Sequence, residues 1–223
     1  MSEIYILGEK IDKKLLKDKI LNLVHITYRN NFQKMKKNEL TNDIGWGCTF
    51  RSSQMLLANC LIKLKFNNFD IMKDFSSELY VNIILLFLDN YLAKFSIHNF
   101  FMNSLESSIE PGKWQGPSTT SHILTSLINS NNVYENFRAI LCENRIIYYH
   151  ELMQILEQNK SILILLPMRL GLDKINDNYK IQIKNIIKIS QFCGIIGGEK
   201  NSSYYFNGID HNNLIYLDPH KIQ

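Results

Sequence analysis

No Cys-x-x-Cys pair occurs in the 223 residues: Cys48, Cys60, Cys142 and Cys193 are scattered. That spacing argues against a zinc knuckle or a disulfide framework, and the thiols are expected to be reduced. No apolar run approaches the roughly eighteen residues of a membrane span, and residues 1–10 lack the basic start and unbroken apolar stretch of a signal peptide. A cytoplasmic location is therefore expected. Excess charge of one sign is also missing. The 25 basic and 21 acidic residues are mixed along the chain and leave a formal net charge of +4, too weak and diffuse to indicate nucleic acid. Lys34, Lys36 and Lys37 form a small basic cluster that reads as a solvated loop, with contact to an acidic partner or anionic membrane as the alternative. There are no repeats.

With 45% hydrophobic residues the chain can bury a substantial core, and residues 1–223 are expected to form one domain. Ile4-Tyr5-Ile6-Leu7-Gly8 reads as a short strand closed by glycine. Helical periodicity predicts helices over 12–29, 49–64, 74–95 and 118–129, the third turning 75–88 to the core, with a loop over 96–116 around the Pro111-Gly112 turn. The second half changes to strands: 137–142, an apolar run over 161–167 read as a central strand buried on both faces, 194–198, and a hairpin of 204–209 with 213–217. Short helices are expected over 149–158 and 176–189, and a flexible loop over 199–203.

Gly45-Trp46-Gly47-Cys48 organises this chain. The two glycines and the Asn42-Asp43 pair are turn and cap chemistry, so a long apolar helix should start close to Cys48. A helix N-terminus favours negative charge, which is one recognised route to a nucleophilic cysteine. A cysteine beside apolar residues is ordinarily core filling, however, and a second site must decide. Tyr28 by itself reads as a half-buried packing residue. Trp114, in a glycine-proline loop, reads as packing or as the lip of a binding groove.

Asp218-Pro219-His220 is that second site. At a strand end, residues two apart share a face, roughly 6 to 7 Å apart at Cα, within reach of a carboxylate to Nδ1 hydrogen bond. The proline stiffens the backbone, and the aspartate would set the histidine tautomer and leave Nε2 free to take a thiol proton. An exposed Asp-Pro-His turn without a catalytic role is commonplace, and a Cys48, Asp218, His220 metal site is the weaker alternative because it lacks a fourth ligand. His25, His98, His122, His150 and His211 have no acid similarly spaced in sequence.

Gly45-Trp46-Gly47-Cys48 with Arg51, Gln54 and Met55, and Leu214-Ile215-Tyr216-Leu217-Asp218-Pro219-His220, resemble the autophagins, papain-like cysteine peptidases that process the ubiquitin-like modifier of autophagy. Tyr5-Ile6-Leu7-Gly8, Thr27-Tyr28-Arg29-Asn30-Asn31-Phe32, Trp114 with Gly116-Pro117, Arg169-Leu170-Gly171, and Gly194-Ile195-Ile196-Gly197-Gly198 with Asn201-Ser202 look like further blocks of that family, in the same order. The resemblance implies an α+β papain-like fold, with a helical half carrying the nucleophile and a sheet half carrying the Asp and His. Cys48 would be the nucleophile, His220 the base, Asp218 the orienting acid and Tyr28 an oxyanion donor. Trp114 with Gly198, Lys200 and Asn201 would gate the groove.

The implied reaction is cleavage after the C-terminal glycine of the modifier, in its precursor and in its phosphatidylethanolamine conjugate, with no cofactor and only a transient encounter with the membrane surface. A catalytically impaired binder of the same modifier and another papain-like acyl transferase are the alternatives. Lys200 stands where the family usually has proline, and Ser190-Gln191 replaces a Pro-Gln pair. The family also continues past the base, so a chain lacking that C-terminal segment is expected to leave Tyr204, Phe206, Leu214 and Tyr216 partly exposed and to hold His220 loosely.

Overall fold

The computed structural model describes residues 3–36, 39–66, 75–105, 112–131, 133–172 and 174–222. The expectations placed on Lys37, Asp74 and Pro111 lie outside these residues, as does Gln223. The architecture is a mixture of helix and sheet. Its elements are β1 (Ile4–Ile6), β2 (Glu9–Ile11), α1 (Leu16–Leu21), α2 (Cys48–Phe66), α3 (Glu78–Leu85), α4 (Ile97–Leu105), α5 (Pro117–Asn131), β3 (Phe137–Leu141), α6 (Tyr149–Glu157), β4 (Ser161–Leu165), α7 (Asp177–Ile187), β5 (Ile195–Glu199), β6 (Ser202–Asp210) and β7 (Asn213–Leu217).

α2 is the axis of the molecule. It contains neither glycine nor proline, and every residue from its start to Ile62 is buried. A helix surrounded on all sides must satisfy its polar side chains internally. Asn59 does so by accepting from the Val24 N–H at 2.9 Å and donating to the Val24 and Met55 carbonyls. Gln54 donates to the Phe95 carbonyl at 2.8 Å. These bonds fasten the segments around Val24 and Phe95 to α2. Leu57, Leu61 and Ile62 are fully enclosed, each worth about 1.5–3 kcal/mol against exposure.

The sheet is organised around β6. β1 and β5 lie end to end along one edge, pairing with 208–210 and 202–206 respectively, while β7 pairs along the other edge. All these pairings are antiparallel, and β2 extends the sheet beyond β1. A bulge between Phe206 and Gly208 leaves Asn207 out of the β7 register, and the Asn207 carbonyl accepts the Leu7 N–H instead. Gly208 admits this close approach, since a Cβ there would lie 2.3 Å from the Tyr5 carbonyl oxygen. Ser203, Tyr205, Asn207 and Ile209 point into the core, where α2 packs across β5 and β6.

Several expectations fail in instructive ways. The helix over 12–29 is a 3-10 turn, Lys13–Leu15, followed by the six-residue α1. Leu15 and Leu21 are exposed. The 74–95 helix contracts to α3, and Leu88 and Leu92 are exposed. Conversely, the segment read as a loop over 96–116 contains α4, which buries Phe100 and Phe101. The 161–167 run is not a central strand: β4 forms a separate two-stranded parallel sheet with β3 and is only partly buried. The loop over 199–203 is mostly strand, with only Lys200 and Asn201 left as the turn between β5 and β6.

Candidate active site

The turn before α2 is built on Asp43. Its carbonyl accepts from Trp46 and Gly47, and its buried carboxylate accepts from the Arg29 N–H at 2.7 Å and from Arg51 Nε at 2.7 Å. Arg51 is completely enclosed and also donates to Asp89 at 2.8 Å and to Gln54 at 3.1 Å. Burial works against the Arg51 guanidinium, but the two carboxylates outweigh it and hold its pKa above the ordinary value. Gly47 is required here, since a Cβ would lie 2.5 Å from Asp43 Oδ2. The turn therefore delivers Cys48 as the first residue of α2, fully buried, where a helix leaves its N–H groups without intrahelical partners.

Tyr28 joins the two halves of the site. Burial first, then the charge of the neighbouring Cys48 and hydrogen bonding to it, push the pKa of its phenol up, so it remains a donor at neutral pH. Its ring stands edge-on to His220 at 5.5 Å between centroids. Its N–H donates to the Pro219 carbonyl at 2.8 Å, and it forms a parallel bridge with Ile222. The backbone on both sides of His220 is thereby tied down, contrary to the loose terminus expected from sequence.

Asp218 Oδ1 accepts from the His220 N–H at 2.9 Å and meets its Nδ1 at 2.6 Å. Burial raises the Asp218 carboxyl, but the two His220 hydrogen bonds and the nearby His220 and His25 charges prevail and hold it below the usual carboxylate range. With Nδ1 engaged by the carboxylate, Nε2 is the ring's second proton site. It is buried and has no hydrogen-bond partner among the described residues.

The remaining candidates fall around this centre. The Cys48 thiol donates to the Asn201 carbonyl at 4.0 Å, so the β5–β6 turn lies over that thiol. Asn201 has φ 65° in that turn, and Lys200 is exposed. At Gly198 a Cβ would lie 2.5 Å from the Ser202 carbonyl oxygen. Trp114 is half-buried on the segment entering α5, which packs on α2, and its indole N–H is enclosed without an acceptor among the described residues.

Sequence reasoning missed Asp43 as the hub, although Asn42-Asp43 marked the turn. It also missed Tyr204, whose ring packs on His220 at 5.2 Å and on Tyr216 at 4.9 Å. Tyr204, Phe206 and Leu214 are half-buried and Tyr216 is exposed, the partial exposure expected. Two other histidines do have acid partners in the fold, His211 with Asp210 and His122 with Glu143. Among the described residues no group of three His, Cys, Asp or Glu could hold a metal ion, and no helix is long and apolar enough to cross a membrane.

Residues 13–223 match the family described as the peptidase C54 catalytic domain. The chain is 37% identical over 206 residues to "Probable cysteine protease ATG4" of Scheffersomyces stipitis, covering 87% of this chain and 37% of that protein. It is 36% identical over 208 residues to "Cysteine protease ATG4" of Candida albicans, covering 87% and 44%. Against "Probable cysteine protease atg4" of Schizosaccharomyces pombe the identity is 34% over 200 residues, covering 89% and 58%. The chain thus spans less than two thirds of the length of these relatives.

Proposed function

The chain belongs to the peptidase C54 family, and from that premise we propose that it is a cysteine peptidase cleaving after the C-terminal glycine of a ubiquitin-like autophagy modifier. Its substrates are the modifier's precursor and the modifier's conjugate to phosphatidylethanolamine. The observation that carries this reading is the buried, unpartnered Nε2 of His220, oriented by Asp218 through Nδ1 and linked to Cys48 by Tyr28.

The chemistry follows from these atoms. Movement of the Asn201 carbonyl frees the thiol, and His220 Nε2 takes its proton as Cys48 Sγ attacks the carbonyl carbon of the glycine. The oxyanion receives hydrogen bonds from the Cys48 backbone N–H and the Tyr28 hydroxyl. His220 returns the proton to the leaving nitrogen, which is an amino group of either the precursor peptide or the lipid headgroup. Water, activated by the same ring, then hydrolyses the thioester and releases the glycine carboxylate. Asp218 orients the ring and stabilises its imidazolium throughout.

Because the same pocket reaches a peptide or a lipid amide, the membrane enters only through the substrate. Trp114 and the β5–β6 turn would roof a slot too narrow for a β-carbon, selecting glycine before the cut. The test is incubation with a modifier bearing a C-terminal extension, followed by intact mass. Loss of the extension after glycine is expected, with Cys48→Ala binding the modifier but leaving it uncut. Binding by the unaltered protein without any cleavage would overturn the enzymatic reading in favour of a binder.

A further inference from the structure

His25 is exposed between the buried Val24 and Ile26 and takes no part in the chemistry above, yet its ring Nε2 meets the Asp218 main-chain carbonyl at 2.8 Å. We propose that His25 is a positioning residue for the Asp218 and His220 pair, holding that carbonyl so that the Asp218 carboxylate reaches the His220 ring. The inference rests on the reading of His220 as the base.

Two rigid peptide planes separate the Cα atoms of Asp218 and His220. The Asp218 carbonyl lies in the first and the Pro219 carbonyl in the second. His25 Nε2 holds the first at 2.8 Å, and the Tyr28 N–H holds the second at 2.8 Å. The proline ring fixes φ between the planes, which leaves only its ψ to adjust, and the two donors set that from outside. Both donors belong to one segment, and each end of that segment is fastened to the frame of α2. Asn59 accepts from the Val24 N–H and donates to its carbonyl, while Asp43, held by Arg51, accepts from the Arg29 N–H. Residues 24–29 thus carry the position of α2, and with it Cys48, across to Asp218 and His220. Their hold on Pro219 is main chain, whereas their hold on Asp218 is the His25 side chain.

A carbonyl oxygen only accepts, so His25 Nε2 carries a proton. That holds for the neutral Nε2–H ring and for the imidazolium alike, and the bond therefore survives a change of charge on His25. An imidazolium adds attraction for the Asp218 carboxylate. Glutamine separates the two effects, because its amide nitrogen reaches about as far as the histidine Nε2 and donates without charge. Exposed side chains ordinarily contribute little to stability; His25 is set apart by where its bond lands. Loss of one net hydrogen bond at that carbonyl corresponds to a factor of about three to ten in the population of the oriented pair.

The experiment compares the full chain with its His25→Leu and His25→Gln variants, each checked for native fold by circular dichroism, and follows the His220 Nδ1 proton by NMR. In the parent, Asp218 should protect this proton from exchange with water. In His25→Leu exchange should quicken about threefold to tenfold, and kcat on the extended modifier should fall by a similar factor with KM unchanged. His25→Gln should restore both to near the parent's values. The NMR readout does not need turnover, so a parent that binds the modifier without cutting it would overturn the proposed peptidase, while quickened exchange in His25→Leu would still support the role of His25. Unchanged exchange in His25→Leu, failure of glutamine to restore it, a loss confined to KM, or no protected proton in the parent would each overturn the proposal.

Discussion

Removing the Asp43 carboxylate tests whether the turn that delivers Cys48 is organised electrostatically. In Asp43→Ala, Arg51 keeps Asp89 at 2.8 Å but loses its 2.7 Å partner at Nε while remaining completely enclosed. Breaking one side of a buried ion pair costs about 3–5 kcal/mol, and the surviving Asp89 contact places this case near about 3 kcal/mol. The Arg29 N–H also loses its acceptor, adding about 1 kcal/mol. For a chain of this size each kcal/mol moves Tm by roughly 2–4 °C, so a fall of roughly 8–16 °C is expected. Calorimetry on the purified protein reads it directly. Arg51→Met should be similarly destabilising because it leaves Asp43 buried without its arginine, and Asp43→Ala combined with Arg51→Met should cost less than the two single changes together. A Tm within about 3 °C of the parent for Asp43→Ala, or strict additivity in the double variant, would refute the reasoning.

Tyr28→Phe removes a hydroxyl while keeping the ring against His220 and the N–H bond to Pro219; kcat should fall about 10²–10³-fold with little change in KM, and an unaltered kcat would remove Tyr28 from the oxyanion site. The Asp218 carboxyl lies below its ordinary range in the fold, so its pairing with His220 should be fully present above the unfolded value of about 3.9 and vanish as pH falls through the lower folded value. NMR titration of the His220 ring would show this, and loss of the contact on going from pH ~7 to ~5 would contradict it. Replacing the glycine before the cut by alanine should slow the parent strongly, and Trp114→Ala should narrow the difference; equal rates for both tails in the parent would exclude a narrow slot.

The Gly45-Trp46-Gly47-Cys48 turn, the start of α2 and the Asp218-Pro219-His220 end of β7 were legible from sequence because each depends on local chemistry. Glycine permits the turn and a stretch free of glycine and proline makes the buried helix. Asp218 and His220, expected on one face of a strand, lie instead in the turn after β7, where the Asp218 carboxylate accepts the His220 N–H and brings the two side chains together. The hairpin of β6 and β7 followed from alternation along its strands. α1, α3 and α4 were misjudged because their apolar residues can serve either a helix stripe or loop packing, and only the neighbouring elements decide which are covered. The 161–167 run shows the same ambiguity: its β-branched residues dictate a strand but not the sheet that receives it.

What only the tertiary structure decided is convergence. Asp43 accepts from Arg29 and Arg51, and Tyr28 meets Cys48 on one side and His220 on the other. The Asn201 carbonyl lies over the Cys48 thiol. Each is a pairing between distant segments, and no period of 2.0 or 3.6 carries information about it. The sequence determined which chemistry each segment presents. Packing of β5 and β6 across α2 determined which of those groups touch.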